Sequence, residues 1–91
     1  MKMTRTAHPN DPGGTRKIYF LDNGLKFFVI RCYFSLGHQH GLWEIAVTDS
    51  KGIYKTREVL GISHSDYVGY LTDADVTNYL KIANEWKDLK S

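Results

Sequence analysis

The sequence lacks the features of several large classes of protein. It contains one cysteine, Cys32, so it can form no disulfide within the chain and no zinc site built from several cysteines. Its longest uninterrupted apolar run covers only residues 27–30, whereas a membrane-spanning helix needs about 20 apolar residues. The N-terminal residues also lack the apolar segment of a signal peptide. These absences predict a cytoplasmic protein that makes no contact with a membrane.

The chain is also short and nearly neutral. Its 91 residues fit one domain and exclude large catalytic architectures such as an eight-stranded barrel. The formal charge is +2, from 12 Lys and Arg against 10 Asp and Glu. Such a balance argues against both nonspecific nucleic-acid binding by a strongly basic chain and mimicry of DNA by a strongly acidic one. With 42% hydrophobic and 24% charged residues, the composition is that of a globular domain.

The N-terminal segment differs in composition from the rest of the chain. Residues 1–15 contain few apolar side chains, and residues 9–14 are rich in turn-forming types. Ordering such a segment costs backbone entropy that little burial would offset. We therefore predict a flexible basic arm over residues 1–15, which either solubilises the chain or grips a partner, and a single α+β domain over residues 16–91.

Segments rich in β-branched and aromatic residues follow the arm, and turn signals separate them. Residues 17–21 and 25–34 flank the turn at residues 22–24, and residues 42–49 and 53–59 flank residues 50–52. Asn and Gly tolerate the positive φ of tight turns, so these segments predict β-hairpins. Four successive strands with short connections predict an antiparallel meander. Residues 61–71 form a longer loop with room for a short fifth strand.

The period changes to that of a helix from Asp73 to about Leu89. Thr72 and Asp75 have the spacing of a capping box at its start. The fold class is therefore α+β: a four- to five-stranded antiparallel meander sheet with one C-terminal amphipathic helix packed on one face. The helix is predicted to cover the face that carries Phe28, Ile30, Trp43, Ile45 and Val47.

Strand alternation leaves a second face that is too apolar for free exposure to water. The uncharged face just described also takes in Cys32 and Phe34. The opposite face carries, among others, Leu25, Phe27 and Val29. One helix cannot cover both faces of such a sheet. The second face therefore needs a cover, which is the chain's own loop and arm, a second copy in a homodimer, or a different partner.

Residue types suited to catalysis are present in arrangements that do not favour it. His38, His40 and His64 are three nitrogen donors, but no acidic or sulfur ligand is adjacent, and whether they converge is open. Residues 63–66 hold the residue types of a hydrolytic triad, but sequence neighbours cannot adopt its geometry. Cys32, in an apolar strand, is predicted to be a buried core residue. No glycine-rich phosphate loop is present. We predict no enzyme, no cofactor and no metal.

The remaining signal is a set of aromatic and basic side chains in the predicted strands. Interface energy concentrates in Tyr, Trp and Arg, so these residues are predicted to bind a partner. The same composition suits a sheet face that stacks the bases of single-stranded nucleic acid. The predicted partner-binding residues are Arg31, Tyr33, Tyr54, Lys55, Arg57, Tyr19 and Phe27.

Residues 41–52 and 68–76 resemble segments of small uncharacterised bacteriophage-encoded proteins. The resemblance implies a stoichiometric inhibitor of the anti-defence or anti-CRISPR type, which occludes a host enzyme such as a CRISPR effector or another defence nuclease. We therefore expect a small non-enzymatic protein-binding module that inhibits a host nucleic-acid enzyme in the host cytoplasm. A homodimer is possible. The alternative is a single-stranded nucleic-acid-binding protein that uses an aromatic and basic sheet face.

Overall fold

Five strands form one antiparallel sheet in the computed structural model, which describes residues 1–62 and 64–87. The strands follow one another across the sheet in chain order: β1 (Lys2–His8), β2 (Asp11–Phe20), β3 (Lys26–Arg31), β4 (Trp43–Thr48) and β5 (Val68–Leu71). A short 3-10 turn (His38–His40) precedes β4, helix α1 (Thr56–Leu60) follows it, and helix α2 (Asp73–Glu85) follows β5. The predicted α+β class, a meander sheet with a C-terminal helix, is confirmed.

The N-terminal residues belong to the sheet, which corrects the prediction of a flexible arm over residues 1–15. Strand β1 is an edge strand that pairs with β2, from Lys2 opposite Phe20 to His8 opposite Asp11. Most of its side chains are exposed, so backbone hydrogen bonds rather than apolar burial hold it in place. Gly14 has a packing role as well, because a Cβ there would lie 2.7 Å from a Cys32 side-chain atom.

The turn predicted at residues 22–24 is present, and it is tied to helix α2. Gly24 has a φ of 88°, and the N–H of Leu21 donates to the carbonyl of Leu25 at 2.9 Å. The side-chain amide of Asn23 donates to the carbonyls of Ala83 (2.8 Å) and Trp86 (3.0 Å) at the end of α2. A helix end leaves such carbonyls without partners, so Asn23 anchors the helix to the β2–β3 hairpin.

The face of β3 that packs against α2 is the opposite of the one predicted. Phe27 and Val29 are fully buried in the core beneath α2, whereas Phe28 and Ile30 lie on the far side of the sheet. The prediction that the helix packs on Phe28 and Ile30 was therefore wrong. The residues predicted from β4 do lie under the helix, and they are Trp43, Ile45 and Val47.

The charges at the two ends of β3 account for this error, because Lys26 on the even-numbered face was left out and only Arg31 was weighed. Alternation along β3 places Arg31 on the helix face, and a charge there argues against that face being the core. In the structure the guanidinium lies over the ring of Trp43, 4.1 Å from its centroid, and donates to the carbonyl of Gly41 at 3.1 Å. The ring and the carbonyl stabilise the cation at the edge of the core. Cys32 and Phe34, which supported the other choice, lie beyond the end of the strand.

Residues 53–59, predicted to be a strand, form one β-bridge and then a helix. Thr48 pairs with Tyr54, after which the chain turns into α1. The hydroxyl of Thr56 accepts from the N–H of Val47 at 2.8 Å and donates to its carbonyl at 3.2 Å. The Thr56 side chain, together with the backbone N–H of Lys55, which donates to the same carbonyl at 2.8 Å, thus takes the place of a strand partner at this point of β4. Val59 of α1 then packs in the core.

Helix α2 begins as predicted and ends earlier. The hydroxyl of Thr72 accepts from the N–H of Asp75 at 3.2 Å, and the Asp75 carboxylate accepts from the N–H of Thr72 at 3.0 Å. The carboxylate of Asp73 accepts from the indole N–H of Trp43 at 2.7 Å, which joins the first helical turn to β4. The helix ends at Glu85; the predicted end near Leu89 lies outside the described residues.

Alanine substitutions at two adjacent positions test the assignment of the β3 faces. Phe27→Ala should lower the free energy of unfolding by about 3–5 kcal/mol, the usual loss for a buried aromatic side chain. Phe28→Ala should cost clearly less, because that ring is only half-buried. Urea unfolding followed by circular dichroism measures both values. Equal losses, or a larger loss for Phe28→Ala, would show that the faces are assigned the wrong way round.

Candidate binding surface

The sheet face opposite α2 forms an open groove. Its volume is about 630 Å³, and side chains from β2, β3 and β4 line it together with the loops beside them. This size lies within the range of sites that hold small ligands or several side chains of a partner. The groove has an apolar floor with charged groups among its lining, and the residues that define it are Phe28, Ile30, Ala46, Arg16, Lys26 and Glu44.

Glu44 supplies the carboxyl group of the groove. Its side chain is only 8% exposed, and its Oε1 accepts a hydrogen bond from the N–H of Leu36 at 3.2 Å. Burial raises the pKa of Glu44 above its usual value, and the hydrogen bond from Leu36 offsets part of that shift. The carboxyl group is therefore fixed in position and takes up a proton more readily than an exposed glutamate does.

Two basic side chains line the same groove. Neither Arg16 nor Lys26 takes part in any of the ion pairs found among the described residues. The Nε–H of Arg16 is buried and has no hydrogen-bond partner in the described part of the chain. A buried donor without a partner costs about 1–3 kcal/mol, so Arg16 is held in an unfavourable state.

Tyr54 and Tyr67 form one wall of the groove. Their hydroxyl groups are 2.5 Å apart, and their rings meet edge to face at a centroid distance of 5.4 Å. The hydrogen bond to Tyr54 favours the neutral phenol and, together with burial, raises the pKa of Tyr67 to about 12. This contact joins the turn after β4 to the loop before β5, so the wall is braced from two sides.

A second, smaller cavity of about 190 Å³ adjoins the groove. Phe34 lines both cavities, so the two lie side by side, and we call them together the continuous surface. Four of the side chains in the smaller cavity are large and exposed, with Tyr33 at 64% and Tyr70 at 60%. We call this region the aromatic end, and it consists of Tyr33, Phe34, Leu36 and Tyr70.

Tyr70 has a strained backbone. Its φ is 60°, the sole positive value for a non-glycine residue within the described ranges. The left-handed region costs an aromatic residue about 1–2 kcal/mol. The register of β5 on β4 shifts here, the N–H of Tyr70 donates to the carbonyl of Leu36 at 3.2 Å, and Leu36 leaves no room for a Cβ at Gly69. This irregularity directs an exposed tyrosine toward the aromatic end, and retained strain of this kind is common at functional sites.

The residues predicted to bind a partner do not form one patch. Phe27 is fully buried, so it contacts no partner, and Tyr19 is half-buried beside it on the helix face. Arg31 also lies on the helix face, stacked on a core ring. Tyr33 at the aromatic end and Tyr54 in the wall of the groove do lie on the continuous surface.

The other two predicted residues, Lys55 and Arg57, form ion pairs with neighbouring acids. The Nζ of Lys55 lies 3.7 Å from Glu58, and the Nε of Arg57 lies 3.4 Å from Asp66. The aromatic and basic side chains proposed as a stacking platform for single-stranded nucleic acid are therefore divided between the two faces of the sheet. Their basic groups are also partly neutralised by the chain itself.

Several residues of the surface were not among the predicted site residues. Phe28 and Ile30 were assigned to the core, and Arg16 was placed at the junction with the arm. A signal for Arg16 exists in the hairpin, because the turn sets Arg16 opposite Ile30 and therefore on its face. No sequence signal marks Tyr70, whose conformation depends on packing against a distant loop.

The histidines do not form a metal site in the described part of the chain. No group of three or more His, Cys, Asp or Glu side chains there could hold a metal ion. His38 instead places Nδ1 3.1 Å from the carbonyl of Ser35. Cys32 is buried, as predicted.

Ser65 forms a local turn contact and Asp66 forms an ion pair, while Ser63 lies outside the described residues. The hydroxyl of Ser65 accepts from the N–H of Tyr67 at 3.1 Å, a bond that Ser commonly makes in turns. The Asp66 carboxylate lies 3.4 Å from the Nε of Arg57 in α1.

Replacing Tyr70 with asparagine tests whether stability is sacrificed at the aromatic end. Asparagine tolerates the left-handed region, and the tyrosine side chain is mostly exposed. Tyr70→Asn should therefore leave the free energy of unfolding unchanged or raise it by up to about 1 kcal/mol. Thermal and urea unfolding measure the effect, with Tyr33→Asn as the matched control that relieves no strain. A loss above about 1 kcal/mol in Tyr70→Asn alone would show that the tyrosine serves stability.

Comparison with known proteins returns no match, whether to protein-family models, to curated proteins or to solved structures. Within residues 1–62 and 64–87, no helix has both the length and the apolar character needed to span a membrane.

Proposed function

We propose that the protein is a non-enzymatic binding module that holds a segment of a partner protein on the continuous surface formed by the groove and the aromatic end. The observation that carries this proposal is the groove in the sheet face that α2 does not cover. Its apolar floor is formed by Phe28 and Ile30, which are half-buried, and by Ala46, which is buried. A concave apolar floor of this kind is typical of a binding site.

The composition of the surface suits a protein partner. Tyrosine is enriched among the residues that dominate interface energies, and Tyr33, Tyr54, Tyr67 and Tyr70 all line this surface. Polar and charged groups surround the apolar floor, which is the usual arrangement of core and rim in a protein interface. A concave floor also receives projecting side chains, so an extended or helical segment fits better than a flat partner.

The titratable groups of the groove support binding rather than catalysis. Glu44 is held by the N–H of Leu36, and the Nδ1 of His8 accepts from the N–H of Asn10 at 3.1 Å. The tyrosine pair is closed on itself by its own hydrogen bond. These groups brace the surface, and among the described lining residues no nucleophile lies next to a base in the arrangement that covalent catalysis requires.

We further propose that the partner is a host enzyme that acts on nucleic acid and that the protein inhibits it by occupying it. The support is the resemblance of residues 41–52 and 68–76 to small phage proteins. These two segments contribute Glu44, Ala46 and Tyr70 to the surface. The resemblance and the surface thus involve the same part of the sheet.

Selection from a random dodecapeptide library, followed by fluorescence anisotropy with the selected peptides, tests the proposed function. The double variant Phe34→Ala/Tyr54→Ala removes two exposed side chains of the surface, and Met3→Ala/Ile82→Ala removes two exposed apolar side chains elsewhere. We expect the selected peptides to bind the control variant like wild type and the first variant about tenfold more weakly or worse. Thermal unfolding checks that both variants are folded.

Three results would reject the proposed function. The first is the absence of enriched peptides, and the second is equal binding of the enriched peptides to both double variants. The third is tight binding of a labelled single-stranded oligonucleotide at low salt without peptide binding, which would favour the nucleic-acid alternative. For the finer proposal, capture from a nuclease-treated host lysate should retain a nucleic-acid-processing enzyme on wild type and lose it on Phe34→Ala/Tyr54→Ala; retention of no such enzyme would contradict it.

A further inference from the structure

We infer that the partner segment presents a carboxylate next to an apolar or aromatic side chain, and that this carboxylate binds Arg16. The inference rests on the proposed function, because it names the chemistry that the groove selects in its partner. Three features of the groove support it: the position of Arg16 on the sheet, the charge around the groove and the apolar surface beside it.

Arg16 lies at one end of a row of side chains that crosses the groove. It is opposite Ile30 of β3, and Ile30 is opposite Glu44 of β4. Two strand spacings separate the Arg16 and Glu44 backbones, about 10 Å. The Glu44 carboxyl is engaged by the N–H of Leu36, and no ion pair joins it to Arg16. The guanidinium is therefore left for a ligand.

The state of Arg16 specifies the ligand chemistry. Its Nε–H is buried and unpaired within the described residues, and the guanidinium is a planar donor that matches a carboxylate through two parallel hydrogen bonds. A bound carboxylate would supply the missing acceptor and neutralise the charge together. A neutral carbonyl would accept the hydrogen bond but would not neutralise the charge of the guanidinium, so an acidic group binds best.

The charge around the groove also favours an acidic ligand. Two cations, Arg16 and Lys26, line the groove against one acid, Glu44, whose carboxyl accepts from the N–H of Leu36. This excess of positive charge attracts acidic segments and repels basic ones. Charge complementarity thus selects an acidic partner segment.

The apolar part of the ligand follows from the neighbours of Arg16. Ile30 lies directly beside it in the row, and Phe28 and Phe34 line the same groove. A carboxylate held over this floor is partly shielded from water, which strengthens its attraction to the guanidinium. The best ligand therefore carries an apolar group close to the acid, as a peptide does where an aromatic residue neighbours Asp or Glu.

Two small molecules of equal shape test the inference, 1-naphthoate and its neutral amide 1-naphthamide. Titration followed by ¹H–¹⁵N NMR gives both the affinity and the location of binding. Wild type should bind naphthoate at least about fivefold more tightly than naphthamide, with the largest shifts at groove residues such as Phe28 and Ile30. Arg16→Gln should remove this preference, and Arg16→Lys should keep part of it, because it keeps the charge without the planar fork.

Arg5→Gln is the matched control. Arg5 is opposite Lys17 in the β1–β2 hairpin and therefore faces the α2 side of the sheet, so this variant should keep the full preference. Thermal unfolding confirms that the variants are folded. Equal affinity of wild type for the two molecules, or a preference that survives Arg16→Gln, would overturn the inference and leave the peptide-binding proposal standing. If the peptide selection fails while wild type still prefers naphthoate over naphthamide, the proposal that the groove holds a partner segment is rejected instead.

Discussion

Helix α2 covers one face of a five-stranded sheet, and the rest of the structure depends on which face that is. Side chains alternate along a strand, so this choice sends the odd-numbered residues of β3 into the core and the even-numbered ones into the groove. The helix is fastened at both ends. Asn23 holds its C-terminal carbonyls, and the contact between Asp73 and Trp43 holds its first turn. The groove is therefore a consequence of where the helix is anchored.

Local chemistry made part of this fold predictable from sequence. The turn at residues 22–24 follows from glycine at a positive φ, and the start of α2 follows from the Thr72 and Asp75 side chains, which bond to backbone groups three residues away. The faces of β3 were not predictable in this way, because residues 27–30 are apolar on both sides and each face carries one charge, Lys26 on one and Arg31 on the other. The charge of Arg31 is stabilised by Trp43, which comes from the next strand.

The residues of the binding surface also divide into those that local sequence predicts and those that depend on distant contacts. Tyr33 and Tyr54 were predicted because exposed tyrosine is a common interface residue, whatever its neighbours. Arg16 is important because its Nε–H has no hydrogen-bond partner among the described residues, and that depends on where three strands place the acids around it. Tyr70 is strained because a distant loop packs against its strand. Within the described residues, the surface thus combines an unpaired donor of a cation and a strained aromatic residue beside an apolar floor, three features that a bound partner would satisfy or use.

Solvent accessibility on the two sides of β3 tests the central claim most directly. An uncharged, soluble gadolinium chelate enhances the relaxation of protons that solvent can approach, and it can be added to the wild-type protein under native conditions. We expect strong enhancement for the side chains of Phe28 and Ile30 and little for those of Phe27 and Val29, which are buried. Similar enhancement on both sides, or protection of Phe28 and Ile30, would contradict an open groove on this face.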